Sequence, residues 1–470
     1  MRKFYYLFLA LALAFTVTHA NAQNSGYNRL QNVATGHVAH LSGSSHFAPD
    51  VTLEEAYARP GTVAYVDFDG QKMTQLRAQG VDVVNTIVPM MKALLLQMVD
   101  EDTFTALKDS MVVRVKSALP GAMGTLLTNY INNYSYANFQ TYVGNIDTNL
   151  YYTAVDGGYE LYFNSPSFPF NAGDFTAYFT SKANEFLTLY RGTFQEYALT
   201  YLEGREYLIP VVNSFINHLR FGDFFYLREI ENEEYGPCMG FANSLDKAEA
   251  TNLVWDFVPV DDTHYLGIDA TCQDTDGNWW TSLVTGFAYR LPAGVKAYYV
   301  NSEVDYTKSL VQRVAVTDDV IPALTPVILQ LNGEKAADNR LQIADDNSTG
   351  NYADNALRLP LDRFGFMLGV SLEEPDGHYC TLGLSDDGKV ALRATDKTFI
   401  GPNEPYYYLS DDLVMLLPSG CLALADDVSG IDQLAADDHA APVYYDLQGR
   451  RVDHPTKGLY IVNGKKVMVR

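Results

Sequence analysis

The spacing of apolar residues changes twice along the chain. Over residues 27–69, apolar and polar positions alternate, which is typical of half-buried β-strands. From about residue 73 to residue 219, apolar residues recur every three to four positions, and this spacing predicts amphipathic helices. Within that stretch, residues 151–163 alternate again, so we expect a hairpin with Asp156-Gly157 as its turn.

Capping residues place the ends of two predicted helices. Asp102 and Thr103 are candidate N-caps of a helix that Pro120-Gly121 ends, because short polar side chains satisfy the first free N–H groups of a helix. Asp174 is the candidate N-cap of a later helix. We therefore expect a mainly helical domain over residues 71–220, inserted between the β-segments that flank it.

Strand patterns return after residue 221. Residues 224–230, 255–258 and 279–288 are strand-like, and Asp276-Gly277 is a predicted turn. Residues 443–470 also alternate, and Asn463-Gly464 separates the last two runs. Both central positions of a type I′ turn require positive φ, so this pair predicts a terminal hairpin.

The N-terminus has the features of an export signal. Arg2 and Lys3 precede an apolar run that ends at Val17, and small residues follow at Ala20 and Ala22. This order predicts a signal peptide, and its apolar core is shorter than the ~20 residues that span a membrane. We expect an exported chain that has no transmembrane span after the signal peptide is removed.

These patterns predict an α+β multidomain protein. The expected units are a signal peptide (1–22), an N-terminal β-segment (23–70), a mainly helical domain with a hairpin near 150–163 (71–220), β-rich, sandwich-like modules (221–420), a linker (421–442) and a small C-terminal β-module (443–470). The 470 residues and 47% apolar content allow more than one core. A formal net charge of −24 excludes nucleic acid as an expected partner, since its phosphates require cationic patches.

The C-terminal β-module resembles the sorting domain of type IX secretion cargo in Gram-negative bacteria. The matching sequence is YDLQGRRV followed by GLYIVNGKKV, and the positions that carry the motif are Tyr445, Leu447, Gly449, Arg450, Gly458, Tyr460, Asn463, Gly464 and Lys465. The resemblance implies that the type IX machinery is a partner and that the protein reaches the cell surface or the medium. The alternative is a β-hairpin that caps the preceding domain.

A second resemblance concerns residues 280–420. The stretches FAYRLPAGVKAYYV and VIPALTPVIL are similar to a β-module that commonly precedes the same sorting domain. Two positions depart from its pattern. Leu324 stands where a small or polar residue is usual, and Gly401 stands where alanine is usual. This resemblance implies a β-module and no particular chemistry.

Four cysteines remain after the predicted signal peptide: Cys238, Cys272, Cys380 and Cys421. In an oxidising compartment an even number of cysteines permits disulfides. Pairing Cys238 with Cys272 and Cys380 with Cys421 would keep each bridge within one predicted domain, and each would stabilise the fold by roughly 3–4 kcal/mol. The alternative is four buried free thiols.

The candidate ligand-binding residues are Trp255, Trp279 and Trp280. Trp279 and Trp280 are adjacent, so on a strand one ring should face the core and the other should face outward. An exposed ring of this kind could stack on a sugar. Carbohydrate binding is therefore one hypothesis, and the alternative is that all three rings belong to the core.

No pattern in the sequence predicts a catalytic residue, a cofactor or a metal. His37, His40 and His46 form the densest histidine group, but residues three apart on a strand face opposite sides. Asp274, Asp276 and Asn278 crowd one turn, which a hairpin explains as well as a cation does.

We therefore expect an exported surface or secreted protein that binds a glycan or host polymer without catalysis. The alternatives are a secreted hydrolase with a site within residues 150–290 and a structural surface component.

Overall fold

A computed structural model of the protein describes residues 25–41, 47–87, 89, 92–93, 96, 99–119, 121–169, 173–201, 209–345, 350–362, 365–372, 377–417, 420–426, 444–445, 451–452, 458–462 and 465–469. The predicted signal peptide and His46 lie outside these residues. So do five positions of the sorting motif, namely Leu447, Gly449, Arg450, Asn463 and Gly464. The described part has the predicted α+β architecture, with helices and several β-rich modules.

The first sheet contains strands from the N-terminal third of the chain and from beyond the helices. They are β1 (Gly26–Asn32), β2 (His37–Leu41), β3 (Phe47–Thr52), β4 (Ala64–Asp69), β5 (Lys72–Ala78), β6 (Val81–Asp82), β7 (Leu150–Val155), β8 (Gly158–Asn164), β9 (Phe224–Asn232), β10 (Gly236–Ala242) and β11 (Val254–Pro259). Their order is β10-β9-β8-β7-β5-β4-β1-β2-β3, with β6 on β5. Strand β11 pairs with both β1 and β8, so the pairings close a ring, β1-β4-β5-β7-β8-β11.

The start of the predicted helical stretch is wrong, because residues 72–78 form strand β5. Met73 and Leu76 both face the core of the first sheet, although they are three residues apart. The register explains this spacing. Asp67 pairs with Gln75 and Phe68 pairs with Met73, so Thr74 is an extra, bulged residue. A β-bulge therefore produced an apolar spacing that matches a helix.

Most of the helices lie between β6 and β9. They are α1 (Leu53–Ala56), α2 (Glu101–Ala118), α3 (Ala122–Asn133), α4 (Tyr136–Gly144), α5 (Thr176–Tyr201), α6 (Ile209–His218) and α7 (Asp411–Leu416), with 3-10 turns at Pro60–Thr62, Gly173–Phe175 and Ala336–Asp338 and a π-helical turn at Val83–Ile87. Asp100 caps α2 by accepting from Thr103 N–H at 2.8 Å, so the cap lies upstream of the two predicted positions. None of the helices in the described part of the chain is both long enough and apolar enough to cross a membrane.

The second sheet and its covering strands occupy residues 266–425. The strands are β12 (Leu266–Gly267), β13 (Cys272–Gln273), β14 (Trp279–Leu283), β15 (Tyr289–Arg290), β16 (Lys296–Asp305), β17 (Leu310–Ala315), β18 (Val320–Ile321), β19 (Val327–Leu331), β20 (Arg340–Ile343), β21 (Val370–Ser371), β22 (Tyr379–Leu384), β23 (Val390–Ala394), β24 (Phe399–Ile400), β25 (Tyr407–Tyr408) and β26 (Cys421–Ala425). The second sheet has the order β13-β14-β19-β16-β17-β26-β23-β22-β25, and a third sheet has the order β12-β20-β15-β18. Because β26 belongs to the second sheet, the linker predicted over 421–442 begins inside a strand.

Apolar cores lie on both faces of the second sheet at strands β14, β16 and β19. Ile328 points to one side, into a core that also holds Leu382 and Leu392. The next residue, Leu329, points to the other side, into a core that the third sheet shares through Leu341. Both faces of strand β19 are therefore interior.

The first and second sheets meet at the turn after β5. The side-chain amides of Gln79 and Asn403 bond to each other in both directions, at 2.9 and 3.1 Å. Leu324 lies over the neighbouring Gly80, and its Cδ2 is 3.0 Å from where a Cβ on that glycine would be. The φ of Leu324 is +57°, a left-handed value that leucine adopts less readily than a small or polar residue does.

A buried cation forms another contact between these two parts of the chain. The Arg29 side chain is fully buried, and its guanidinium donates to the carbonyls of His264 and Tyr265 at 2.9 and 3.0 Å. Burial lowers the pKa of Arg29 to about 10, while Tyr57 acts in the opposite direction. Arg29 thus joins β1 to the segment that leads into β12.

The C-terminal strands form a sheet of their own. They are β27 (Tyr444–Tyr445), β28 (Arg451–Val452), β29 (Gly458–Val462) and β30 (Lys465–Val469), in the order β28-β27-β29-β30. Val462 pairs with Lys465, so a two-residue connection joins β29 to β30 where the hairpin was predicted.

Candidate functional site

Two of the three predicted ligand-binding tryptophans belong to the core. Trp255 is fully buried in the first sheet, where its Nε1–H donates to the carbonyl of Leu227 at 3.1 Å. Trp280 is 2% exposed, and its Nε1–H donates to the Asp274 carboxylate at 2.8 Å. A ring without an exposed face cannot stack on a sugar, so the predicted ligand-binding role of these two residues is wrong.

Trp279 faces the opposite side of β14 from Trp280, as the alternation of a strand requires. That side is not solvent, because the core between the second and third sheets lies there and Trp279 packs against it. The ring is half-buried. The three tryptophans therefore do not form a common binding face.

The turn between β13 and β14 uses its carboxylate for structure. Asp274 accepts from the N–H groups of Asp276 and Asn278 at 3.0 and 2.9 Å, in addition to Trp280. Burial acts to raise the pKa of Asp274, but the donors from Trp280 and Asn278 outweigh it and lower the pKa overall. This carboxylate therefore fixes the hairpin, and we assign it no cation.

The predicted disulfides are not formed, because all four cysteines are free thiols. Cys238 lies on β10 of the first sheet, whereas Cys272 lies on β13 of the second. Cys380 pairs with Ala394 and Cys421 pairs with Arg393, across β22, β23 and β26. Ala394 and Arg393 are consecutive, so their two partners point to opposite faces of the sheet and cannot be bridged.

The chemical environment of the thiols also disfavours reaction. Burial raises the pKa of Cys238 and Cys272 to about 11 each, and that of Cys380 to about 12. Burial likewise raises the pKa of Cys421. Because the thiolate is the reactive form, these residues have the properties of structural cysteines.

The histidine group does not converge on a metal. Among the residues that the structure describes, there is no group of three or more His, Cys, Asp or Glu side chains that could hold a metal ion. Instead, His37 Nδ1 lies 2.8 Å from Glu229 Oε1, and the Glu229 side chain is only 4% exposed. Glu229 also accepts from the Thr35 hydroxyl at 2.5 Å. A buried carboxylate thus orients a 30%-exposed imidazole.

Three tyrosines form a continuous row across the first sheet, and we call them the tyrosine row. Tyr151 of β7 pairs with Tyr162 of β8, which pairs in turn with Tyr226 of β9. The first two rings are stacked, with centroids 5.7 Å apart and an interplanar angle of 17°. The second and third rings lie 5.6 Å apart at 46°. Residues that are directly opposite in an antiparallel pair share a face, so the register alone aligns them.

The tyrosine row lies on the outward face of the first sheet. Its chain neighbours Leu150, Leu161 and Leu227 point into the core, so alternation turns the tyrosines outward. All three tyrosines are partly exposed. Phe224 packs edge-on against Tyr162 at 5.3 Å, and it is 39% exposed, so it extends the aromatic surface beyond the row.

Charged side chains mark the ends of the tyrosine row. Lys72 pairs with Tyr151 across β5 and β7, and its Nζ lies 5.6 Å from the ring centroid. At the other end, Lys247 Nζ lies 4.4 Å from the Tyr226 ring and 2.6 Å from the carboxylate of Glu160.

The carboxylate of Asp147 accepts a hydrogen bond from the hydroxyl of Tyr151, the first tyrosine in the row. Asp147 Oδ2 accepts from the Tyr151 hydroxyl and from the Asn164 amide, each at 2.7 Å, and Oδ1 accepts from the Asn149 amide at 2.6 Å. Burial acts to raise the pKa of Asp147, but these donors together lower it. The Tyr162 and Tyr226 hydroxyls, in contrast, have no hydrogen-bond partner among the described residues, so both can bond to a ligand.

One of the two pairings in the tyrosine row could be predicted from the sequence. The predicted hairpin places Tyr151 and Tyr162 equally far from the Asp156-Gly157 turn, so their pairing follows from the turn alone. The position of Tyr226 does not follow in this way, because the helices separate β9 from β8.

The comparisons with known proteins give no relative from which a function could be transferred. No family model, no curated protein and no solved structure matches this chain.

Proposed function

We propose that this is an exported protein of the cell surface or the medium, which binds a glycan or host polymer through the tyrosine row without catalysis. The observation that supports this proposal is the alignment of Tyr151, Tyr162 and Tyr226 on an outward sheet face. Tyrosine offers a large apolar ring with few rotatable bonds and a hydroxyl that donates and accepts, and these properties suit a surface that binds sugars.

Retention on immobilised polysaccharide tests the binding proposal. We expect the purified protein to be retarded by at least one polysaccharide and the Tyr162→Thr variant to lose the retardation, since threonine keeps the strand but removes the central ring. Tyr306→Ala is the matched control, because this tyrosine is 41% exposed and belongs to the second sheet's hairpin. Equal retardation of Tyr162→Thr and the native protein would contradict the proposal.

We further propose that the signal peptide over 1–22 and the C-terminal β-module over 443–470 export the protein by the type IX route. The support is the sequence resemblance, together with four strands that pair with one another in a sheet of their own. Truncation after residue 442 should leave the protein inside the envelope, and cell fractionation measures this. Undiminished export of the truncated chain would contradict this part of the proposal.

A second candidate function is hydrolysis, and the pair of His37 and Glu229 is the observation that favours it. Glu229 holds Nδ1 of the imidazole, which leaves Nε2 to move a proton, as in general acid–base catalysis. If the protein cleaves its polysaccharide, Glu229→Gln should lower kcat by about 10²-fold or more. His40→Asn is the control, because His40 lies on the same strand as His37. The absence of new reducing ends with native protein would remove this candidate.

A further inference from the structure

We infer that the ligand of the tyrosine row is a neutral, linear polysaccharide that lies across the strands, with successive sugar units along the row. This inference rests on the proposed binding function. It adds the direction, the minimum length and the charge of the ligand.

The direction in which the polysaccharide lies and its minimum length follow from the register of the sheet. Each of three neighbouring strands contributes one ring, and the pairings Tyr151 with Tyr162 and Tyr162 with Tyr226 place the rings along the line perpendicular to the strands. The outer two rings are therefore two strand spacings apart, roughly 10 Å. A monosaccharide does not span this distance, so contact with all three tyrosines requires a chain of about three units. We therefore expect affinity to rise with chain length up to three units.

The expected charge of the ligand follows from the charged side chains beside the tyrosine row. The ammonium of Lys247 is paired with the carboxylate of Glu160 at 2.6 Å, so these two charges cancel. At the other end Lys72 forms no ion pair with any residue that the structure describes, but the negative charge of Asp147 is bound to the hydroxyl of the same tyrosine that Lys72 approaches. Each of these two lysines thus has a carboxylate nearby, and the three side chains of the row are themselves uncharged.

The net charge of the whole chain also favours a neutral ligand over an anionic one. A net charge of −24 repels polyanions at long range, and a uronate or sulfate chain would need paired cations along its length to overcome this repulsion. The row offers rings and hydroxyls instead of a line of cations. A neutral polysaccharide presents C–H groups, which can contact the tyrosine rings, and hydroxyls, which can hydrogen-bond to the tyrosine hydroxyls.

A peptide ligand fits this surface less well. Extended peptides usually add to the exposed edge of a sheet, where free backbone groups supply the hydrogen bonds. The tyrosine row is on the face of strands β7, β8 and β9, and β8 is paired on both sides there by Tyr151 and Tyr226. No strand edge is available at the central ring.

Affinity gel electrophoresis of the purified mature chain tests the inference. The gels contain mannan, dextran or laminarin as neutral polysaccharides and polygalacturonate or hyaluronate as anionic ones. We expect at least one neutral polymer to retard the native protein, and Tyr162→Thr to weaken this binding about tenfold or more. Tyr306→Ala should bind as the native protein does. A melting curve for each variant shows whether the fold is retained.

A second measurement uses oligosaccharides of the retarding polymer as competitors. We expect the trimer to compete at a concentration about tenfold or more below that of the monosaccharide. Equal competition by the monosaccharide would overturn the inferred length, and row-dependent binding of an anionic polymer would overturn the inferred charge. Both results would leave the proposed binding function in place. Failure of every polymer to bind would overturn the inference and the binding function together.

Discussion

The first sheet leaves the tyrosine row on a partly exposed face, whereas the second sheet packs the adjacent tryptophans of β14 into two cores. In the second sheet Trp279 and Trp280 point to opposite faces of β14, and each meets an apolar core. In the first sheet Leu161 points into the core, and Tyr162 on the other face remains partly exposed. Alternation decides which way a ring points, but the layers packed on a sheet decide whether it reaches solvent. Alternation is a local property of a strand, whereas the packing of layers is a property of the whole fold.

Trp280→Ala should have the largest effect of the changes that test this comparison. Removing the ring leaves a cavity in a closed core and deprives Asp274 of a donor, so we expect the free energy of unfolding to fall by about 3–5 kcal/mol. Urea unfolding followed by circular dichroism measures it. A loss under about 1 kcal/mol would mean that this face of the second sheet is not packed.

Asp274→Asn should have a smaller effect that depends on pH. The pKa of Asp274 is lowered in the folded protein, so the unfolded chain binds the proton more readily. The stabilising contribution is therefore complete above the ordinary aspartate pKa of about 3.9, and it is lost as the pH falls through the lower folded value. At pH 7 we expect the variant to be less stable by about 1 kcal/mol.

Urea unfolding at several pH values checks the direction of this effect. The difference between the native protein and Asp274→Asn should shrink as the pH falls toward and below the folded pKa, because the native carboxylate then becomes neutral too. A difference that stays constant with pH would show that the charge of Asp274 contributes nothing to the hairpin.

Tyr162→Thr should destabilise the fold less than either change in the second sheet. The ring is partly exposed, and its cross-strand contacts with Tyr151 and Tyr226 are each worth about 0.2–1 kcal/mol, part of which threonine retains. We expect a loss of about 1 kcal/mol or less in urea unfolding. A loss as large as that of Trp280→Ala would mean that the tyrosine row is a core feature, and the comparison between the two sheets would fail.

Local features of the fold could be predicted from the sequence, because local chemistry determines them. The Asp156-Gly157 turn joins β7 to β8 as expected, and the helix before Pro120 ends at Ala118. The closure of the first sheet could not be predicted. It depends on β11 pairing with β1 and β8, and the helices lie between these strands in the chain. No short sequence pattern predicts the pairing of strands that lie so far apart in the chain.

The candidate site was missed for the same physical reason. Residue type alone favours tryptophan over tyrosine as a sugar-stacking ring, yet exposure depends on sheet layers that the local sequence does not reveal. The tyrosine row needs the register of three strands, and a hairpin turn fixes only the pairing of Tyr151 with Tyr162. The left-handed φ of Leu324 is a counterexample, because the β-module that residues 280–420 resemble has a small or polar residue there.

Reduction should have the smallest effect, which we expect to be none. Two disulfides would each have contributed roughly 3–4 kcal/mol, so dithiothreitol would lower Tm if the predicted bridges existed. In the structure Cys380 and Cys421 point to opposite faces of one sheet, and Cys238 and Cys272 lie in different sheets. The Tm should therefore be unchanged by dithiothreitol, and iodoacetamide should label four cysteines in unreduced, denatured protein and few in the native protein, since burial raises their pKa. A reductant-dependent Tm would show that at least one disulfide forms, and it would contradict the four free thiols of the structure.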